Sequence, residues 1–208
     1  MSDTPAPYHP LGLPPGSVRA ILVLIVVGMF VVLAVVPQPA DRPPIRIPLF
    51  LFALLPLVML FFAAHGSSIQ PVGGTGASPL YLPRPFIRIL IVLGLAGSLG
   101  AAYYFDPQQL VERLTPDPAD VSKVPGLMLA IGVGFFVGHL LRIFPWRHLP
   151  AYQNFLAWIS LIALLLLLVD LVLVFIIKPS VQDAFEFDPF VFEAVLSGVI
   201  AMYFAARS

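Results

Sequence analysis

The sequence predicts an all-α fold, a polytopic transmembrane helical bundle of about six spans with no soluble domain. Hydrophobic residues make up 59% of the 208 residues and charged residues only 11%, whereas soluble domains carry about 25% charged residues. The apolar residues are concentrated in runs close to the roughly 20 residues that a helix needs to cross a bilayer. Prolines and charged residues separate these runs. The predicted spans are residues 20–36, 47–64, 89–105, 124–141, 155–177 and 190–206.

The first three spans are bounded or interrupted by residues with strong helix preferences. Ser17 is the expected N-cap of the first span, and Pro37 ends its apolar run. Pro56 lies inside the second span and predicts a kink, because proline removes a backbone hydrogen bond. Asp106 closes the third span and is expected to cap a short helix on the membrane surface.

The last three spans differ in how clearly they are defined. The fourth ends at Arg142, and the fifth is the longest and ends before Lys178. The sixth contains Glu193 and ends next to the last residues of the chain, so an amphipathic helix lying on the membrane is its alternative.

The connectors are too short to fold as independent domains. Residues 1–19 form a proline-rich N-terminal segment, expected to be extended, and residues 20–206 form the transmembrane domain. The N-terminal segment is interpreted as a flexible tail, with an arm that docks on a partner as the alternative. In the connector after the third span, the short helix is expected to turn Leu110, Val111 and Leu114 towards the membrane surface.

Charge predicts the orientation. The side with both termini carries six basic residues and one acid, whereas the opposite side carries five basic residues and eight acids. Since loops rich in Lys and Arg stay on the cytoplasmic side, the sequence predicts a multi-pass cell-membrane protein with both termini in the cytoplasm.

Small residues form a strip along the fourth span. Gly126, Ala130, Gly134 and Gly138 recur every four residues and therefore share one helix face. Such faces let helices approach closely, which drives association in lipid. Packing inside the chain's own bundle is the favoured interpretation, and a subunit interface is the alternative. The third span has shorter versions of the pattern, such as Gly97 with Ala101.

Four polar residues within or near the spans are candidates for chemistry. Asp170 lies inside the fifth span, where an acid costs about 2.5–3.5 kcal/mol, so it should face the bundle interior or another subunit. It is either a hydrogen-bonded structural acid or a carboxylate that handles protons or cations. His139 and Arg142 lie one turn apart near the end of the fourth span, and Glu193 lies near the start of the sixth.

The composition and the motifs exclude several functions. Eleven basic and eleven acidic residues leave no positive excess for nucleic acid, and no cysteine is present for a disulfide or a metal. No enzyme, cofactor or metal motif is recognised. We therefore expect a non-catalytic structural or anchoring subunit of a larger membrane assembly. Its expected partners are membrane lipids and other membrane subunits, in a homo- or hetero-oligomer. The alternative is a small transporter or channel for protons or cations that uses an intramembrane carboxylate.

Overall fold

The computed structural model describes residues 16–36, 46–65, 80, 82, 84–143, 149–177 and 189–207. Within these ranges the regular structure is helical, which confirms the predicted all-α class. A wider, π-helical turn, Leu173–Ile177, continues the seventh helix. The helices are α1 (Ser17–Val35), α2 (Leu49–His65), α3 (Arg84–Phe105), α4 (Pro107–Leu114), α5 (Pro118–Val121), α6 (Val124–Ile143), α7 (Pro150–Val172) and α8 (Phe190–Arg207).

Five of the described helices are long and apolar enough to cross a membrane: α1, α3, α6, α8, and α7 together with its π-helical turn. The helix at the second predicted span, α2, is shorter, with 17 residues, and has Pro56 inside it. The proline-rich segment lies outside the described residues as far as residue 15, and its last residues belong to α1.

The long helices alternate in direction. Helix α1 begins and α8 ends at the same end of the bundle, which we call the terminal end. A hydrogen bond from Arg19 Nη2 to Arg207 O (2.9 Å) joins them there. At the other end, the α4 end, the N–H of Ile47 before α2 donates to Arg113 O of α4 (3.1 Å). There, Lys123 Nζ before α6 also lies 5.7 Å from the Phe190 ring at the start of α8.

Helix α1 forms the centre of the bundle. It packs against α2, α3 and α7. In its apolar stretch of membrane-spanning length, 56% of the residues are buried, against 17% in α3 and 11% in α6. Leu22, Val23 and Val26 have no exposed surface. The two outer helices therefore present most of their apolar side chains to the surroundings of the bundle.

The last helix belongs to the bundle and does not lie apart from it. Helix α8 packs against α6, α7 and α2, and Leu196, Ile200 and Phe204 are fully buried along it. Burial from its middle to its last turn is not expected of an amphipathic helix lying on a membrane.

The start of α1 corrects the predicted cap. Gly16, with φ 85°, is the N-cap, and Ser17 is the first helical residue. Glycine adopts this left-handed conformation without steric cost. The Ser17 hydroxyl is fully buried and accepts a hydrogen bond from the Leu80 N–H (2.9 Å). Ser17 thus joins α1 to the connector before α3 and does not cap its own helix.

The short helix α4 has the predicted N-cap, but most of its apolar side chains do not face in the predicted direction. The Asp106 carboxylate accepts a hydrogen bond from the Gln109 N–H (2.9 Å). Leu110 is buried and Leu114 packs against the core, so the expectation that both face the membrane surface was wrong. Only Val111 of that predicted apolar set is exposed. The physical reason is that the side of α4 bearing Arg113 is anchored to the end of α1.

Candidate functional site

Asp170 lies in the core of the bundle. Its side chain has no exposed surface, and it shares the buried face of α7 with Ser160, Ala163, Leu167 and Val174. These residues are three or four positions apart, so they form one stripe along the helix. The acid therefore faces the bundle interior, as expected of an acid within an apolar helix.

The helix changes its geometry directly after this acid. The Leu173 N–H donates to both Val169 O and Asp170 O, and the π-helical turn Leu173–Ile177 follows. Turns of this kind interrupt the regular backbone ladder and are frequent at functional sites. No sequence pattern indicated this turn, since the run from Leu171 to Ile177 is uniformly apolar.

The other polar candidates lie nearer the surface. His139 is exposed on α6 and stacks on the Phe135 ring, with centroids 6.4 Å apart. Arg142, in the last turn of α6, is also exposed, and Glu193 is half-buried in the first turn of α8. The structure therefore separates His139 and Arg142 from the buried Asp170. Across the described ranges, no group of three or more His, Asp or Glu residues could hold a metal ion.

The glycine strip of α6 lies directly on the backbone of α8. A Cβ added to Gly134 would overlap the carbonyl oxygen of Gly198 and lie 2.9 Å from its Cα. A Cβ added to Gly138 would lie 2.8 Å from the Cβ of Ala205. Both separations are too short for real side chains, so the close approach of the two helices requires glycine at these positions.

The rest of the strip meets the same helix. A Cβ on Gly126 would lie 3.1 Å from the Phe190 ring, and a Cβ on Gly198 would lie 3.0 Å from the carbonyl oxygen of Ala130. Helix α8 of the same chain thus buries Gly134 and Gly138, whereas Ala130 is half-buried and Gly126 is exposed beside Phe190. This contact is the packing inside the chain's own bundle that the sequence favours for Gly134 and Gly138.

A second small-residue face, on α3, has no helix against it among the described residues. A Cβ added to Gly94, Gly97 or Gly100 would meet nothing within 4 Å. Together with the last turns of α1, this face forms an open groove of about 560 Å³. The groove is almost entirely apolar, and its lining includes Val31, Val32, Val35, Gly94, Gly97 and Ala101.

Arg113 is an important residue that the sequence did not single out. It is 2% exposed, and its guanidinium donates hydrogen bonds to Leu33 O (2.9 Å), Ala34 O (3.0 Å) and Val36 O (2.7 Å). A further bond to Gln109 Oε1 (2.7 Å) orients the group. The last carbonyls of a helix have no partner within it, and a cation stabilises this negative end. Arg113 therefore caps α1 from a different helix.

Burial lowers the pKa of the Arg113 guanidinium, and the nearby charge of Asp106 partly offsets this. A guanidinium nevertheless stays protonated in proteins, so the cap keeps its positive charge. The sequence contains one indication that α1 needs a cap from elsewhere. The last turn of α1 has no polar residue that could donate to its own carbonyls.

The chain matches no protein family model, and comparisons with curated proteins and with solved structures find no match. Its function must therefore be inferred from its own geometry. The relevant features are the buried acid, the covered glycine strip and the open groove between α1 and α3.

Proposed function

We propose that the protein is a non-catalytic, multi-pass protein of the cell membrane that serves as a structural or anchoring subunit of a larger membrane assembly. The open groove between α1 and α3 is the observation that carries this proposal. Its occupant would be one transmembrane helix of a partner subunit, packed against Gly94 and Gly97.

The residues of α3 support a helix as the occupant. Other outward-facing positions of α3 include large apolar side chains, such as Leu90 and Val92, which are 48% and 56% exposed. Glycine costs about 1 kcal/mol relative to alanine inside a helix. Glycines at Gly94 and Gly97 are therefore unfavourable against lipid, but they favour the close approach of another helix backbone. In the same chain, α8 occupies the glycine strip of α6 in this way.

Six spans with both termini in the cytoplasm are part of the proposal. The Arg19–Arg207 hydrogen bond, which joins the start of α1 to the end of α8, supports an even number of crossings. Helix α2 has 17 residues, or about 26 Å at 1.5 Å per residue, against a hydrocarbon thickness of about 30 Å. The buried residues Ile47 and Pro48 precede it and lengthen the apolar segment.

A matched pair of substitutions tests the groove. Gly97→Leu fills it, whereas Gly132→Leu adds the same side chain to an exposed position of α6 outside it. Neither Cβ meets an atom within 4 Å, so both variants should fold. In mild detergent, we expect the wild type and Gly132→Leu to have a mass above that of the monomer, and Gly97→Leu to lose its partner. A strictly monomeric wild type with no co-purifying membrane protein would contradict the proposal.

Cross-linking identifies the partner. Because the chain contains no cysteine, Ala101→Cys introduces a single thiol at the groove. In native membranes, a disulfide-linked dimer of this chain would show a homo-oligomer. An adduct to a different subunit, formed with a bifunctional reagent, would show a hetero-oligomer.

Transport of protons or cations is the second candidate function, favoured by the fully buried carboxyl of Asp170 and the π-helical turn that follows it. The absence of any exposed surface on this side chain argues for a structural role. Wild type and Asp170→Asn, reconstituted in liposomes, distinguish the two roles. Flux that is present in the wild type and lost in the variant would establish transport. The absence of flux from both proteins across a broad panel of ions would exclude the transport function.

A further inference from the structure

Two arginines meet at the terminal end of the bundle. Arg19 lies in the first turn of α1 and Arg207 in the last turn of α8. Arg19 donates a hydrogen bond to the main-chain oxygen of Arg207 (2.9 Å), and its guanidinium lies 5.8 Å from the centre of the Phe204 ring. The Arg19 side chain is thus held in place by a backbone acceptor and an aromatic face.

The two positive charges have no acidic counter-charge among the described residues. They are close enough to interact with each other, and neither is in an ion pair with any described residue. The Nε atoms of both guanidinium groups are buried without a hydrogen-bond acceptor in the described part of the chain. Neighbouring like charges with unused donors are unfavourable unless an anion joins them.

The position of the pair indicates the kind of anion. Both arginines are half-buried at helix ends, which in a spanning bundle is the level of the lipid headgroups. The N-terminus of α1 has no side-chain cap and adds the positive end of its helix dipole. Apart from Asp170 inside the bundle, the described acidic residues belong to the α4 end. Among the described residues, the terminal end therefore carries basic side chains and no acidic one.

We propose that Arg19 and Arg207 bind the phosphate group of an anionic phospholipid in the leaflet at the terminal end. Guanidinium groups bind phosphate oxygens through paired N–H donors, and anionic lipids attract basic groups beside transmembrane helices. The site depends on the membrane location of the bundle but not on a partner subunit. The lipid site can therefore be disproved while the structural role stands, and the structural role can be disproved while the lipid site stands.

Arg207→Gln is the informative variant. Arg207 accepts the bond from Arg19 through its main-chain oxygen, so the substitution removes a charge and leaves this contact in place. Arg142→Gln is the control, because Arg142 is an exposed arginine in the last turn of α6, at the same end of the bundle. Both variants lower the net charge equally, and diffuse attraction to anionic lipid should fall equally in both.

The measurement is native mass spectrometry of the full chain in neutral detergent, titrated with phosphatidylglycerol or phosphatidylcholine. We expect the wild type to prefer phosphatidylglycerol. Arg207→Gln should weaken that binding about tenfold and Arg142→Gln less than about twofold. Equal losses in the two variants, or no preference in the wild type, would overturn the proposal. Circular dichroism checks that each variant is folded.

A second titration separates the two sources of phosphate. Inorganic phosphate could displace phosphatidylglycerol from the wild type and leave the residual lipid on Arg207→Gln. This result would show that the arginine site also accepts soluble phosphate. Retention of the lipid at millimolar phosphate would show that the acyl chains contribute and that the ligand is the membrane lipid.

Discussion

Replacing Arg113 with leucine should destabilise the bundle by releasing the end of its central helix. The guanidinium makes three hydrogen bonds to the carbonyls of Leu33, Ala34 and Val36. These groups lie in or next to the last turn of α1, where the helix itself supplies no donor for them. Leucine fills part of the space but leaves the carbonyls without a partner.

The magnitude follows from these bonds. Each carbonyl that loses its donor costs about 1 kcal/mol, and loss of the positive charge at the helix terminus costs about 1 kcal/mol more. About 1 kcal/mol is regained, because a charge no longer has to be buried and leucine is apolar. The free energy of unfolding should therefore fall by about 3 kcal/mol. Arg113→Lys keeps the charge without the planar fork and should recover about half of the loss.

Reversible unfolding in mixed micelles, with SDS as the denaturant and circular dichroism as the signal, measures these differences. Arg142→Leu is the control, because the exposed arginine makes no hydrogen bond to a helix end among the described residues, and its effect should stay within about 0.5 kcal/mol. Amide exchange should also quicken in the last turn of α1 in Arg113→Leu and stay unchanged in α8. If Arg113→Leu were as stable as Arg142→Leu, the cap would contribute nothing and the reasoning would be refuted.

Three further predictions use the same unfolding titration. Gly134→Leu should cost more than about 3 kcal/mol because its side chain overlaps the backbone of α8, whereas Gly132→Leu should stay within about 0.5 kcal/mol; equal losses would contradict the close packing. Asp106→Ala should cost about 1 kcal/mol and quicken amide exchange in α4, and unchanged exchange would exclude a capping role. Asp117→Asn, which breaks the half-exposed ion pair with Arg46 (3.1 Å), should cost less than about 1 kcal/mol, with the difference shrinking in high salt.

Much of the fold could be predicted because it depends on local properties of the chain. The apolar run at 20–36 becomes α1, and the run at 190–206 becomes α8, with bounds that differ by up to three residues. The inward orientation of Asp170 follows from the cost of placing an acid in lipid. The N-cap of α1 could not be predicted, since Ser17 is held by the N–H of Leu80, more than 60 residues away.

In the candidate site, too, local sequence predicts some features, whereas others depend on contacts between residues far apart in the chain. Gly134 and Gly97 both belong to small-residue patterns that predict a packing face, yet one is covered by α8 and the other lies open in the groove. The local pattern states that a helix can approach closely, but it does not state which helix does so. That outcome depends on the order and tilt of all helices in the bundle, which single-residue spacing does not encode.

Arg19 and Arg113 also change how charge should be interpreted in this chain. Each donates to main-chain oxygens at the end of another helix, so neither is a free loop charge. Leaving both out of the comparison of basic residues reduces six against five to five against four, and the charge rule alone stays weak. The lipid site proposed at Arg19 and Arg207 bears separately on orientation. Anionic phospholipids give the cytoplasmic leaflet its negative surface potential, so binding of such a lipid at the terminal end would favour that end as the cytoplasmic one.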